Sequence, residues 1–509
     1  MKVTLIRPPA YSSRGFMGAQ LVPYLGIVYL GAALRAAGHD VDIVDMCGED
    51  ISRAEVVRGS FIQHGMPIPA LRSRLKPSDV FGFTCMFSQD WPFHRDLMIQ
   101  VREWYPGCVF FAGGEHVSAL PDYCLKDCPA LDVCVVGEGE DVAVQLLKGL
   151  KEKRPLADVA GLVIRRPREE AVQQTPRASR IKDVDAIPWP AWDLVPLENY
   201  LSRGYNYHIR RGRTIPILAT RGCPYRCTFC SNVHMWGSPW VPRSVKDIVD
   251  EMECYIKKYR VDNFVFSDLT AVIRKENIID LCEEIIRRKI NVTWQLPTLR
   301  TEAVDRDVLE RMRRAGCRDL DFAMESGSRE VLKSVRKKND PEKIFRLIQD
   351  GLAAGMNLST NIIIGLPREG WKDFFQTFGM ASRLAVKGLQ ELNVFPFIPY
   401  PGSELFDDFL RQKKLILSDD YFLNLFGYAD LSKAVSWSAH FSPRTLSLMR
   451  FVLLSHFYGL MLLTHPRRAW RLVSNAFQGK TTTKLEGVVA RILRNIKISF
   501  QKEHRHANG

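Results

Sequence analysis

The sequence predicts an α/β chain: an amino-terminal doubly wound parallel sheet, then a partial β/α barrel of six strands, then a mainly helical carboxyl-terminal region. Three observations lead there. Short, nearly all-apolar runs alternate with amphipathic helical patterns twice along the chain, which is how strands buried on both faces read. Glycines, prolines and polar residues collect at the carboxyl ends of those runs, where open α/β sheets and barrels hold their ligands. Between the two alternations lies Ile187-Pro188-Trp189-Pro190-Ala191-Trp192-Asp193, extended because its prolines forbid helix. A chain of 509 residues exceeds one ordinary core. The expected division is 1–180, a linker over 181–212, the barrel over 213–405 and the helical basic region over 406–509.

In the first alternation Val3–Ile6, Val41–Val44, Asp79–Thr84, Cys108–Ala112 and Asp132–Val136 read as strands. Leu25–Ala37, Phe93–Trp104 and Val142–Leu150 read as helices, and a charged hairpin-like segment follows around Gly161–Arg166. The unusual residues stand after the strands: Arg7 and Pro8, Thr84 and Cys85, Gly113-Gly114-Glu115-His116, and Gly137-Glu138-Gly139-Glu140. Glycines there let a large ligand approach the backbone. No GxGxxG follows the first strand, so a plain dinucleotide fold is disfavoured.

The second alternation gives strands at Ile215–Ala219, Asn263–Ser267, Val292–Leu296, Asp319–Met324, Leu358–Ile364 and Glu391–Phe397. Helices are expected over Ser244–Tyr259, Lys275–Lys289, Asp305–Ala315, Pro341–Ala354 and Trp371–Ala385. At the strand ends stand Ser267 and Asp268, Gln295 and Arg300, Glu325 and Ser326, Gly365, and Pro399-Tyr400-Pro401-Gly402-Ser403.

The first of these strands runs into Ala219-Thr220-Arg221-Gly222-Cys223-Pro224-Tyr225-Arg226-Cys227-Thr228-Phe229-Cys230. Three thiolates spaced CxxxCxxC on one loop are soft ligands for an iron–sulfur cluster or zinc. A structural zinc and an electron-transfer cluster each want four protein ligands, so three leave one metal position for substrate. The bland alternatives are a zinc site completed by His234, or unrelated buried thiols.

Twelve cysteines in a chain that opens directly on a strand do not read as a disulfide framework, and a reducing cytoplasm is expected. No apolar run reaches the roughly eighteen to twenty residues a membrane span needs. Charge is uneven. From Ser442 to Gly509 twelve Lys or Arg stand against Glu486 and Glu503 alone, so +10 of the net +14 lies in this tail. The segment Leu446–Leu463 reads either as a buried helix of a capping domain or as an interfacial helix meeting anionic lipid. Nucleic acid is disfavoured, because aromatic residues are sparse near the end.

The cysteine loop, with Phe229 before its last thiol, resembles the radical S-adenosylmethionine (SAM) superfamily. That resemblance implies a 4Fe-4S cluster on Cys223, Cys227 and Cys230, whose fourth iron is chelated by SAM. Met324-Glu325-Ser326-Gly327-Ser328 and Ile363-Ile364-Gly365-Leu366-Pro367 resemble the segments that contact SAM in that family. The implied SAM set is Phe229, Ser267, Asp268, Gln295, Arg300, Glu325, Ser326 and Gly365. Ser267-Asp268 stands where many members carry Gly-Gly-Glu. The strand ends of the first domain resemble the cobalamin-binding domain that precedes many such barrels. They imply contacts from Arg7, Pro8, Thr84, Cys85, Gly113, Gly114, Glu115, His116, Gly137, Glu138 and Gly139. The DxHxxG motif that supplies a cobalt-ligating histidine is absent, so no cobalt ligand is assigned.

The resemblance implies a cobalamin-dependent radical SAM enzyme with three cofactors, namely the cluster, SAM and cobalamin. The favoured activity is methylation of an unactivated carbon in a small-molecule or lipid-like substrate, by way of a 5′-deoxyadenosyl radical and methylcobalamin. Implied partners are an electron donor such as flavodoxin or ferredoxin and, through the basic tail, a membrane surface. Rival readings are an oxidative tetrapyrrole cyclase of the same architecture, a tRNA methylthiotransferase, and a cobalamin- and redox-sensing regulator. No catalytic side chain is assigned. A methylthiotransferase needs a second cluster from amino-terminal cysteines, and here Cys85, Cys124 and Cys128 read as buried helix thiols.

Overall fold

The computed structural model describes residues 1–15, 21–166, 172–205, 211–430, 433, 435–478 and 486. Most of the basic tail, 479–509 apart from Glu486, lies outside the described residues.

The first sheet has seven strands: β1 (Lys2–Arg7), β2 (Asp40–Asp45), β3 (Val80–Thr84), β4 (Val109–Gly113), β5 (Val133–Val135), β6 (Leu162–Arg165) and β7 (Val172–Gln174). They lie in the order β7-β6-β5-β4-β3-β1-β2. Pairing is parallel from β2 through β5, and the expected hairpin adds β6 and β7 antiparallel at one edge. Because β1 lies between β2 and β3, the chain reverses its winding there, and a crevice opens beyond the carboxyl ends of those strands. Alternate side chains serve the two faces, Leu5 and Phe111 entering one core while Ile6, Phe83 and Phe110 enter the other. Helix Leu25–Ala36 packs on Gly139–Lys151 over the first face, and Trp91–Trp104 lies on the second. A three-stranded antiparallel sheet, Ala10–Ser13 with Phe61–His64 and Ala54–Val57, was not legible in the sequence.

The second sheet is parallel and sequential: β8 (Thr214–Ile217), β9 (Asn263–Phe266), β10 (Thr293–Leu299), β11 (Cys317–Glu325), β12 (Asn357–Ile364) and β13 (Glu391–Pro396). Its outer strands β8 and β13 do not pair, so the barrel is open. Three of the connecting helices begin at a side-chain cap. Ser244, Asp305 and Asp340 accept from backbone N–H groups of the first turn.

The carboxyl-terminal region divides between the two sheets. Phe406, Tyr421, Phe422 and Leu425 enter the second core of the first sheet, and Arg95 donates to Asp419 at 2.7 Å and 2.8 Å. The helix Pro443–Thr464 instead lies over the barrel edge, burying Leu446, Met449, Leu453, Phe457 and Met461, with the Tyr458 hydroxyl against the Leu392 backbone. One expectation is corrected here. This helix is long and apolar enough to meet a spanning criterion, with mean hydropathy 1.6 over eighteen residues. Arg450, Ser455, His456 and Gly459 interrupt the apolar run without offsetting it.

Candidate functional site

The cysteine loop leaves β8 and is fixed at its base by a carboxylate. Asp268, just beyond β9, accepts from the Ala219 N–H at 3.1 Å and the Thr220 hydroxyl at 2.6 Å. Burial pushes its acid up to about 6. Two residues on, Gly222 adopts φ +85°, where a Cβ would collide with the Pro239 carbonyl. The glycine turns the chain so that Cys223 enters the loop half-buried.

Cys227 is buried, Cys223 and Cys230 less so. The thiols lie close enough to feel one another's charge, and burial pushes Cys230 up to about 12. Such a thiol is held as thiolate by a metal or by nearby cations. A cation is present: the Arg300 guanidinium reaches Cys227 Sγ at 3.7 Å, stacks on Tyr225 at 3.5 Å and pairs with Glu302. Among the described residues no three His, Cys, Asp or Glu side chains converge as a single-ion site requires. His234, the residue that would complete a zinc site, instead faces Asp407 at 3.8 Å. Three soft thiols with no fourth protein ligand suit a cluster whose irons are ligated separately.

Around this loop the barrel strand ends supply the residues expected near SAM. Glu325 ends β11 at φ +65°, a conformation that costs a non-glycine residue energy and that clusters at functional sites. Its carboxylate accepts from Lys337 Nζ at 2.8 Å, in a pair buried on both sides. Ser326 hydrogen-bonds Thr377 at 3.1 Å, which docks the Ser326-Gly327-Ser328 turn on helix Trp371–Lys387. At the next strand end the Leu366 N–H donates to Glu369 at 3.2 Å, as does that of Gly365, and burial pushes this acid up to about 7. Phe229 packs near Val331, Val335, Leu366 and Phe397. Gln295 is fully buried. Ser267 Oγ and Thr228 Oγ1 are buried and, among the described residues, lack a hydrogen-bond partner, as polar groups awaiting a ligand would be.

The expected cobalamin contacts behave in two ways. Arg7 is committed internally, donating to the Tyr200 hydroxyl at 2.5 Å, pairing with Asp45 at 3.4 Å and lying over the Tyr24 ring at 3.6 Å. Pro8 and Cys85 are buried. His116 Nδ1 meets Ser88 Oγ at 2.9 Å, and its ring lies between Trp91 and Phe422. Burial lowers its pKa to about 3, so the imidazole is neutral. Glu138 is buried and engaged by Arg180 and Arg221, and the remaining residues form a cradle. Gly114 sits at φ +116°, where a Cβ would meet the Cys85 carbonyl oxygen at 2.6 Å. Thr84, Gly113, Glu115 and Gly137 lie half-buried around it. Close backbone approach with glycines at several strand ends fits a broad cofactor such as a corrin.

The two halves meet through residues the motifs did not single out. Arg221 reaches out of the cysteine loop to Glu138 at 3.2 Å and Glu140 at 2.6 Å, all three buried. Glu138 also accepts from Arg180 at 2.6 Å and from the Ile181 N–H at 2.9 Å. Ser231, just after Cys230, donates to Glu115. The Tyr400 hydroxyl accepts from the Ser88 N–H at 2.8 Å. Arg221 and Ser231 flank the motif, so only their adjacency could have flagged them. Beside this junction Tyr11, Tyr24, Phe87, Phe426, Gln89 and Asp90 line a small pocket at the crevice between β1 and β3. Cys85, Cys124, Cys128 and Cys134 are buried core thiols.

A parallel sheet with a glycine cradle, facing a partial barrel whose first loop carries three thiols, is the layout expected of a cobalamin-dependent radical SAM enzyme. Comparison with known proteins agrees. Residues 217–381 match the radical SAM superfamily and residues 19–147 the B12-binding domain. The chain is 30% identical over 413 residues to the anaerobic magnesium-protoporphyrin IX monomethyl ester cyclase of Rubrivivax gelatinosus, covering 80% of this chain and 70% of that one. An uncharacterised methyltransferase of Pyrococcus horikoshii is 26% identical over 407 residues, covering 80% and 83%. The fold matches the radical SAM methyltransferase TsrM from Kitasatospora setae, solved with cobalamin and a [4Fe-4S] cluster, at TM-score 0.63. That match has 15% identity and covers 90% of this chain and 88% of that one. The chain belongs to the cobalamin-binding branch of the radical SAM enzymes, and its cofactors are a 4Fe-4S cluster, SAM and cobalamin.

Proposed function

We propose that the protein is a methyltransferase acting on an unactivated carbon of a small-molecule or lipid-like substrate. The observation that carries the reading is the junction itself. Arg221 and Ser231 leave the thiol loop and bond Glu138, Glu140 and Glu115 at the strand ends of the first sheet, so both cofactor faces border one cleft. When bound, the three groups supply reductive cleavage of SAM and a methyl group carried on cobalt. In this reading Cys223, Cys227 and Cys230 hold the cluster, and the buried Lys337–Glu325 pair and the Ser326 and Gly365 turns orient SAM. The glycine cradle seats the corrin. The division at about 180, 212 and 405 belongs to the same reading, as do a cytoplasmic setting and a small protein electron donor such as flavodoxin or ferredoxin. The 30% identity to a cyclase supports one rival outcome, oxidation and ring closure on the same scaffold.

The test uses reduced, cobalamin-loaded protein, methyl-labelled SAM and extracted cellular small molecules and lipids. Methyl transfer predicts label in a product, with 5′-deoxyadenosine and S-adenosylhomocysteine released in roughly equal amounts. A product that gains oxygen or a ring and no label overturns methylation while leaving both cofactors intact.

A further inference from the structure

The helix Pro443–Thr464 is apolar on all sides, yet only 33% of its apolar window is buried. Helices of that kind belong in a core or in contact with lipid. Leu446, Met449, Leu453, Phe457 and Met461 form the core-facing stripe. The opposite stripe presents Leu448, Phe451, Val452 and Leu463 to solvent, Phe451 at 69% and Leu463 at 81% exposure, with small Ser455 and Gly459 between them.

The apolar surface continues onto its neighbour. Helix Trp371–Lys387 runs alongside in the same direction: Trp371 touches Phe441 at 5.1 Å, Phe378 stacks on His456 at 4.4 Å, and Gly388 accepts from Arg468 at 2.5 Å. It adds exposed Trp371 and Phe375. Beyond the far end, Pro466–Gln478 exposes Trp470 at 73% near Arg467, while Arg471 pairs with Glu486 at 3.5 Å. Arg444, Lys372 and Lys387 stand exposed along the two helices. No Asp or Glu occurs from residue 431 to 485.

A contiguous exposed apolar patch marks an interaction site. Exposed Arg444, Lys372, Lys387 and Arg467 around it outnumber the nearby acids Asp373 and Glu486, and with tryptophans at its ends they match an anionic lipid interface, where aromatic rings sit at headgroup level and Lys or Arg meets phosphate. We propose that this two-helix face docks in the plane of an anionic bilayer, with Pro443–Thr464 lying along the headgroup boundary for its length of about 33 Å. It does not cross the bilayer, because its other face is fixed to the barrel edge. The proposal stands on exposed residues remote from the cofactors and does not depend on the reaction.

The test is co-sedimentation of the full chain with extruded vesicles of phosphatidylcholine, with and without phosphatidylglycerol, and light scattering without lipid. Binding is expected only with phosphatidylglycerol, falling roughly tenfold between about 50 and 500 mM salt. Phe451→Ser with Leu463→Ser should lower it about tenfold or more, and Arg467→Gln about threefold, with urea midpoints unchanged because these side chains are exposed. Three outcomes overturn the proposal. One is failure to sediment with anionic vesicles at low salt. Another is binding indifferent to the Phe451/Leu463 pair, which assigns attachment to the tail beyond residue 478. The third is an oligomer that the pair dissolves while the wild type ignores vesicles, which assigns the face to a second copy.

Discussion

Replacing Arg221 by Met should open the junction between the two cofactor halves. Arg221, Glu138 and Glu140 are almost wholly buried, so their charges are poorly screened. Glu138 retains Arg180 and the Ile181 N–H, whereas Glu140 loses its 2.6 Å partner. Removing one member of a buried pair costs about 3–5 kcal/mol, because the other charge stays desolvated. Water reaching Glu140 as the junction loosens holds the effect near the lower figure. At 1.4 kcal/mol per factor of ten, about 3 kcal/mol is roughly a hundredfold shift toward the open state. Hydrogen exchange on the anaerobic full chain reads this directly: amides of 138–142 and 219–223 should lose about a hundredfold of protection in Arg221→Met. Most should return in the double variant with Glu140→Gln, which removes the stranded charge. Arg221→Lys should fall between, since an ammonium cannot bridge both carboxylates as the guanidinium fork does. Protection within threefold of wild type in Arg221→Met would refute the idea that this residue locks the domains.

Cys227→Ala should abolish the brown absorbance and SAM cleavage while the amino-terminal sheet keeps its circular dichroism; retention of about four irons per chain would remove the cluster assignment. Glu369 gives a pH signature. Its folded pKa of about 7 lies above the ordinary 4.5, through burial. Its contribution to stability is therefore fully present below pH 4.5 and lost as pH rises through 7, a swing of about 3 kcal/mol. Unfolding free energies from urea titrations at pH 5 and pH 8 should differ by about 2.5 kcal/mol less in Glu369→Gln, and an unchanged difference would discount the shift. His116 is neutral and enclosed by Trp91 and Phe422, so His116→Phe should leave the electron paramagnetic resonance spectrum of reduced, cobalt(II) protein unaltered. Loss of a nitrogen hyperfine pattern in that variant would show that His116 reaches cobalt.

The repeating parts of the fold were legible because hydrophobic period and strand-end punctuation carry them. All six barrel strands and the five principal sheet strands stand within a few residues of their expected places. The small sheet built from Ala10–Ser13, Ala54–Val57 and Phe61–His64 escaped because four residues are too few for the period of two, present in the burial of the last two strands, to read as an apolar alternation in the sequence. Within the site, the spacing showed three thiols on one loop, and their role as cluster ligands came from the family resemblance. Arg221, Glu140 and Ser231 were not, because their work is a long-range pairing between segments some eighty to over a hundred residues apart. The expectation that Arg7 meets a ligand shows the opposite error. Position at a strand end suggested exposure, but Asp45 and Tyr200, distant in sequence, enclose its guanidinium.

The thiol loop is anchored at three points by contacts that involve no metal: Asp268 at its base, Gly222 at its turn, and Glu138 with Glu140 across the junction. Zinc-finger peptides order their ligands only as metal binds, and the ordering entropy is subtracted from their affinity. Here the polypeptide fold has already met most of that cost, so cluster insertion approaches the docking of a rigid body into a prepared seat. The thermodynamic corollary is weak coupling. Chelating the iron should leave the melting temperature of the barrel nearly where it was, and the cluster should be replaceable without unfolding.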